Sequence, residues 1–186
     1  MVFFPSYEYL GRVLEAFRAR YPSVETIEQT HDMGLRGREE FLARFVDDGK
    51  LRVGFCVLGG SFSEGVDLPG GRLIGTVVVG VGLPGLSSER NILREYYDEN
   101  GEAGYDYAYT YPGMNRVLQA VGRVIRRETD RGVAVLIDDR WREDRFRCLF
   151  PAHWSGIQYA GNQKELANIV SLFWSKDSET TKSEFP

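Results

Sequence analysis

Two cysteines in 186 residues cannot build a disulfide framework or a four-cysteine metal site. Cys56 lies within an apolar run, as buried thiols do, and Cys56 and Cys148 are both expected to be reduced and structural. No apolar run approaches the roughly 20 residues a membrane-spanning helix needs. The longest, Leu73 to Leu86, is broken by glycines and by Pro84. Met1 is followed at once by Val2, Phe3 and Phe4, so no secretory signal is legible, and a cytoplasmic protein with no membrane attachment is expected. The phosphate-loop pattern G-x-x-x-x-G-K-[ST] is also absent. The Gly49-Lys50 pair is followed by Leu51 and has Arg44 where the first glycine should stand, so the chain cannot cradle a triphosphate in that way. Lysine is scarce: of 23 basic residues four are lysine and 19 arginine, and five of the arginines fall between Arg116 and Arg131. A net charge of −4 excludes a surface covered by a basic footprint, but arginine is the residue suited to bidentate phosphate recognition.

What is present is an ordinary globular composition, 42% hydrophobic and 27% charged, long enough for one compact domain that buries about 70% of its unfolded surface. The chain opens on a short apolar strand ended by Pro5. Ser6 then stands at an N-cap position before Leu10, Val13, Leu14 and Phe17 at helical spacing. Val24 to Glu28 alternates as a strand, and Phe41, Leu42 and Phe45 mark a helix from Arg38 to Phe45. Leu51 to Leu58, Leu73 to Val81 and Val133 to Ile137 read as strands buried on both faces. Leu86 to Tyr97 reads as a helix, Glu99 to Tyr109 as an exposed loop, and Pro112 starts a helix expected to reach about Arg127. Helices near Glu143 to Leu149 and Gln163 to Trp174 follow, and the polar segment from Lys176 to Pro186 is expected to be a disordered tail. Apolar strands alternating with helices predict a three-layer α/β domain with a mainly parallel sheet and helices on both faces, which binds ligands at the carboxyl ends of its strands. A chain starting directly on a strand suggests a domain cut from a longer protein.

Four segments are candidates for chemistry. Gly80 to Gly85 matches G-x-G-x-x-G, the dinucleotide fingerprint, but Pro84 restricts Leu83 to extended conformations where that turn should tighten. Val133 to Asp139 is an apolar strand ending in two acids, as magnesium-binding strands do, with no phosphate loop to serve. The glycine-rich loop Gly59 to Gly71 follows a buried strand, where small residues and backbone amides can meet a phosphate. In Gln119 to Arg126, a helix would place Gln119, Arg123 and Arg126 on one face and Leu118, Val121 and Ile125 on an apolar stripe. Gly122 within that helix would cost about 1 kcal/mol relative to alanine, which suggests close approach of another group. A solvated arginine face is the plain alternative.

In order along the chain, these segments resemble the C-terminal motor domain of superfamily 2 helicases of the XPD/DinG type. Phe3-Phe4-Pro5-Ser6-Tyr7 is similar to that family's motif IV, Gly60-Ser61-Phe62-Ser63-Glu64-Gly65-Val66-Asp67 to its motif V, and Gln119 through Arg126 to its motif VI. Asp138-Asp139-Arg140 matches its Asp-x-Arg, and Gly82-Leu83-Pro84 fits its loop. The resemblance implies a RecA-like domain over residues 1–175 that supplies arginine fingers, Arg123 and Arg126, to ATP and Mg²⁺ held by an N-terminal RecA-like domain of the same polypeptide. Gln119 would contact the γ-phosphate or the attacking water. Glu64, Gly65, Asp67 and Gly122 would border the nucleotide, and Ser6, Tyr7, Ser61 and Ser63 would grip single-stranded DNA. It also implies a role in DNA repair and 5′ to 3′ movement. A four-iron cluster, where the family has one, would lie in the other motor domain, since two cysteines cannot hold it. The chain alone is then expected to be inactive. Two other readings are a non-catalytic nucleic-acid or protein-binding module on the same fold and, from G-x-G-x-x-G alone, a nicotinamide-dependent oxidoreductase.

Overall fold

A computed structural model describes residues 1–60, 62, 68, 70–125, 130–154 and 156–175. The chain divides into two compact units after Leu149. The first contains β1 (Val2–Phe4), α1 (Tyr7–Arg20), β2 (Glu25–Glu28), α2 (Leu35–Ala43), β3 (Arg52–Val57), β4 (Gly75–Val79), α3 (Ser88–Glu99), α4 (Tyr111–Val121), β5 (Val133–Ile137) and α5 (Asp144–Arg147). The second contains α6 (Gln163–Ser175), whose start is held by a reciprocal cap. Asn162 Oδ1 accepts from the Glu165 amide at 2.9 Å, and the Glu165 carboxylate accepts from Asn162 Nδ2 and the Gly161 amide.

The five strands form one sheet in the order β2-β3-β1-β4-β5, and every pairing is parallel. Alternation along β1 and β3 divides their side chains between two covered faces. On one, Leu10 and Leu14 of α1 pack on Phe4 and Phe55, with Val13 and Phe17 alongside. On the other, Phe41 of α2 and Phe45 just beyond its end press on Gly54. A Cβ there would stand 2.6 Å from the Phe45 ring, so only glycine lets α2 lie this close to β3. The expected α/β layering with a parallel sheet is therefore present.

Three local expectations are corrected. β5 is not buried: it is the sheet's edge strand, and Ala134 and Ile137 are exposed. The segment after α3 is not an exposed loop. Asp106–Thr110 forms a π-helix that runs into α4 and buries Ala108, Tyr109 and Thr110. Pro112 sits in the first turn of α4 and has no N–H to donate, and a wider turn ahead of it accommodates the ring. Arg90 Nη1 donates to Ala108 O at 2.7 Å, and Arg145 Nη2 donates to Asp106 Oδ1 at 2.8 Å and Thr110 Oγ1 at 2.9 Å. The tyrosines pack on one another: Tyr97 stacks on Tyr107 at 4.1 Å and Tyr105 on Tyr109 at 5.1 Å. Finally, Cys56 is buried, its thiol pushed up to about 12 by desolvation, but Cys148 is exposed and free.

Candidate functional site

One set of polar groups gathers at the carboxyl edge of the sheet. After β1, Ser6 caps α1 by accepting the Tyr9 amide at 3.2 Å, as its place before an amphipathic helix predicts. This spends an acceptor and leaves the hydroxyl proton available. The Tyr7 hydroxyl is engaged on both sides: it accepts from Gln29 Nε2 at 2.9 Å and donates to Thr30 O at 3.5 Å. Desolvation raises the Tyr7 pKa above its ordinary value, so the phenol keeps the proton it donates. Its ring lies 3.6 Å from that of His31, tilted by 31°.

Gln29, directly after β2, is 3% exposed and one of few buried polar residues among those described. Its amide donates to Phe55 O at 2.9 Å, and its Oε1 accepts from the Val57 amide at 2.8 Å. Its side-chain nitrogen would lie 3.0 Å from a Cβ at Gly60. One side chain thus ties the ends of β2 and β3 to the start of α1 and packs on Gly60 of the glycine-rich loop. Sequence reading missed Gln29 and His31, because nothing in their spacing signals that three non-consecutive strand ends meet there. Phe62 is described and buried, its ring 4.2 Å from Phe41. Ser61, Ser63, Glu64, Gly65 and Asp67 lie outside the described residues.

α4 starts at this edge, with Gly113 against Gly82 just beyond β4, and runs back along the sheet. Its far end, with Gln119 and Arg123, lies toward the amino ends of β4 and β5, where Val124 meets Gly132 near Ile74. Its buried stripe is Gly113, Met114, Val117 and Ala120, continued by Val124, and not the expected Leu118, Val121 and Ile125: Ile125 is 51% exposed. Gly113 lies directly against Gly82, which has φ +71, and a Cβ on Gly82 would stand 2.5 Å from Gly113 O. The glycine of the G-x-G-x-x-G pattern therefore serves the packing of α4, which fills the place a dinucleotide would need. Gln119 is exposed and Arg123 half-buried.

The helix also stops earlier than its pattern predicts. α4 ends at Val121 with Gly122 as its C-cap, and the next amides turn back through Gly122 N to Leu118 O, 2.8 Å, and Val124 N to Val121 O, 3.1 Å. Val124 is buried against Gly132 at the entrance to β5, and burying it draws the chain out of the helix. Gly122 is exposed. Of the described atoms, those nearest a Cβ there would be the helix's own Leu118 and Gln119 carbonyls, so the glycine belongs to the helix end and not to a close contact. Arg126 lies outside the described residues. Arg116, three residues before Gln119, was not singled out by pattern. Its guanidinium lies across Gly59, where φ is +77 and a Cβ would stand 2.7 Å from Nε. It joins α4 to the end of β3.

After β5, Asp138 accepts the amide and Nε of Arg140 on Oδ1, at 3.0 and 2.9 Å, and Nη2 on Oδ2 at 2.8 Å. These bonds hold its carboxyl below the usual carboxylate range. Both oxygens are committed to an arginine and not aimed at a metal. No group of three metal-ligating side chains occurs among the described residues, and no described helix is long and apolar enough to cross a membrane.

An all-parallel sheet with helices on its faces places the protein in the class of α/β domains that bind ligands beyond the carboxyl ends of their strands. The helicase C-terminal domain family model matches residues 1–156. The chain belongs to that family, within the XPD/DinG-like helicases. It is 31% identical over 160 residues to a regulator of telomere elongation helicase 1 homolog of Culex quinquefasciatus, covering 78% of this chain and 16% of that protein. It is 31% identical over 179 residues to a probable ATP-dependent helicase of Methanocaldococcus jannaschii, covering 89% of this chain and 25% of that protein. A solved XPD helicase superposes with a TM-score of 0.60 at 22% identity, over 80% of this chain and 26% of that one. The chain thus spans about a quarter or less of the length of these relatives.

Proposed function

We propose that this chain works as the second motor domain of an ATP-dependent DNA helicase, completing a nucleotide site whose phosphate loop belongs to another domain of the same polypeptide. The observation that carries this reading is the position of Gln119 and Arg123 at the exposed end of α4. Their placement follows from the buried stripe of α4, which leaves Gln119 exposed and Arg123 half-buried. Phosphoryl transfer spreads charge over the equatorial oxygens of the transferring group, and an arginine brought to it is worth about 10³ to 10⁵ in rate. Arg123, with Arg126 beyond it, supplies that charge, while Gln119 orients the γ-phosphate or the water. Glu64, Gly65 and Asp67 line the nucleotide side of the loop, with Gly122 at the helix end.

Magnesium neutralises charge on the phosphates when bound. The described residues of this chain do not form its site, because Asp138 is paired to Arg140 and no cluster of three ligands exists among them. On the reading proposed here the ion belongs to the domain that carries the phosphate loop. Ser6, Ser61 and Ser63, with the backbone around Gly60, grip single-stranded DNA. Such contacts go to phosphates and carry no sequence information. Tyr7 acts there through its ring, since its hydroxyl is engaged.

The test is ATP hydrolysis with single-stranded DNA present, measured for this chain alone and then for the chain joined to an upstream phosphate-loop domain. Turnover only in the joined protein is expected. Turnover by the chain alone overturns the reading. So does silence of a folded joined protein, which would favour a non-catalytic binding module.

A further inference from the structure

We propose that His31 is a nucleobase-stacking residue, backed by the Tyr7 ring and held in place through Gln29. The inference rests on the DNA-gripping role proposed above and assigns a contact that the motifs do not. The argument is one of elimination at a single place. Tyr7 stands where an aromatic would meet DNA, but its hydroxyl is bonded to Gln29 and Thr30 and one ring face is covered by His31 at 3.6 Å. The outward aromatic surface is then that of His31, which is exposed, whereas Tyr7 is half-buried.

The pair is also built to stay in register. A tyrosine on the first turn of a helix ordinarily exchanges rotamers. Here a buried glutamine fixes it, and that glutamine is fixed in turn by Val57 and, through its backbone N–H, by Phe55, both of β3. Orienting a ring in advance removes an ordering cost from binding. The ligand chemistry follows from the neighbours. Asp32 follows His31 in the chain, and a carboxylate beside the ring disfavours a phosphate at this spot, where a flat, uncharged base fits. A phosphate is accommodated nearby by the Ser6 hydroxyl, which keeps its proton to donate. Stacking on one ring accepts any base, which suits a motor that must move along every sequence.

The experiment titrates the chain with fluorescein-labelled oligothymidylate and follows anisotropy, with NMR of the imidazole protons in parallel. The chain has two histidines, so His153 serves as the internal control. His31→Ala, a surface change, is expected to weaken binding about 5- to 150-fold. His31→Trp is expected to keep it and His31→Lys not to restore it. On an abasic strand the wild-type and His31→Ala affinities should coincide. The His31 protons should shift on binding thymidylate while those of His153 stay. Tyr7→Phe, which keeps the ring and gives up both hydroxyl bonds, should move the His31 resonances in the free protein and weaken binding by a smaller factor. Wild-type binding that survives His31→Ala, or is rescued by His31→Lys, overturns this inference and leaves the helicase reading standing. No binding by the wild-type chain overturns the DNA-gripping face and this inference with it.

Discussion

Beyond β1, β2 and β3 the carboxyl edge of the sheet is tied internally by a buried side chain, whereas Gln119 and Arg123 stand at the far end of α4, toward the amino ends of β4 and β5. Gln29 satisfies its polar atoms within the domain, and what it leaves outside is an aromatic face and backbone. Gln119 and Arg123 are offered outward by α4, whose buried stripe does the anchoring. Under the function proposed above, the difference matches two tasks. A surface that holds a strand benefits from being ordered beforehand. An arginine that must reach a phosphate on another domain has to project from its own.

That contrast can be broken from either side. The largest effect is expected from Arg123→Ala in the protein joined to its phosphate-loop domain: DNA-stimulated ATP hydrolysis should fall roughly 10³-fold or more. Affinity for single-stranded DNA without nucleotide and the unfolding midpoint should stay unchanged, and loss of either would make Arg123 structural. Gly82→Ala attacks the packing that positions both halves. It combines a left-handed backbone with a Cβ 2.5 Å from Gly113 O, and urea unfolding should show a loss of about 3 kcal/mol or more. Tyr7→Phe leaves the Gln29 amide buried with one partner fewer, and the same measurement should show a loss of about 1 to 3 kcal/mol.

Smaller still is the acid response of the ion-paired end of the sheet. Arg52 binds Asp48 at 2.6 and 2.8 Å and Glu25 at 3.0 Å, and these bonds, with that of Arg44 to Glu25, hold both carboxylates below their ordinary range. Their contribution to stability is present above the unfolded value of about 4 and lost as pH falls toward the lower folded values. The midpoint of unfolding should therefore drop below about pH 4 in wild type, and less in Arg52→Met. The last check is chemical: at neutral pH a thiol reagent should modify Cys148 at once and Cys56 only on unfolding.

Much of this arrangement is legible in the chain, because local physics repeats. Leu10, Val13, Leu14 and Phe17 repeat at helical spacing after a capping serine, and the apolar runs of β3 and β4 sit between glycines, so α1 and the parallel sheet follow from pattern. The misreadings occur where a distant partner decides. Glu99 to Tyr109 reads as a loop, and Asp106–Thr110 forms a π-helix because Arg90, Arg145 and Pro112 converge on it. The helix over Gln119 to Arg126 ends early because Val124 is buried beside Gly132, a contact no periodicity reports.

By itself the sequence determined the order of strands and helices, the absence of a phosphate loop and the resemblance carried by residues such as Ser6, Tyr7, Gln119 and Arg123, all of which depend on neighbours along the chain. Only the tertiary structure decided that Gln29, Tyr7 and His31 form one unit and that Arg116 crosses Gly59. Those groups come from separate strands and helices, and a parallel sheet brings them together only once its crossovers are complete.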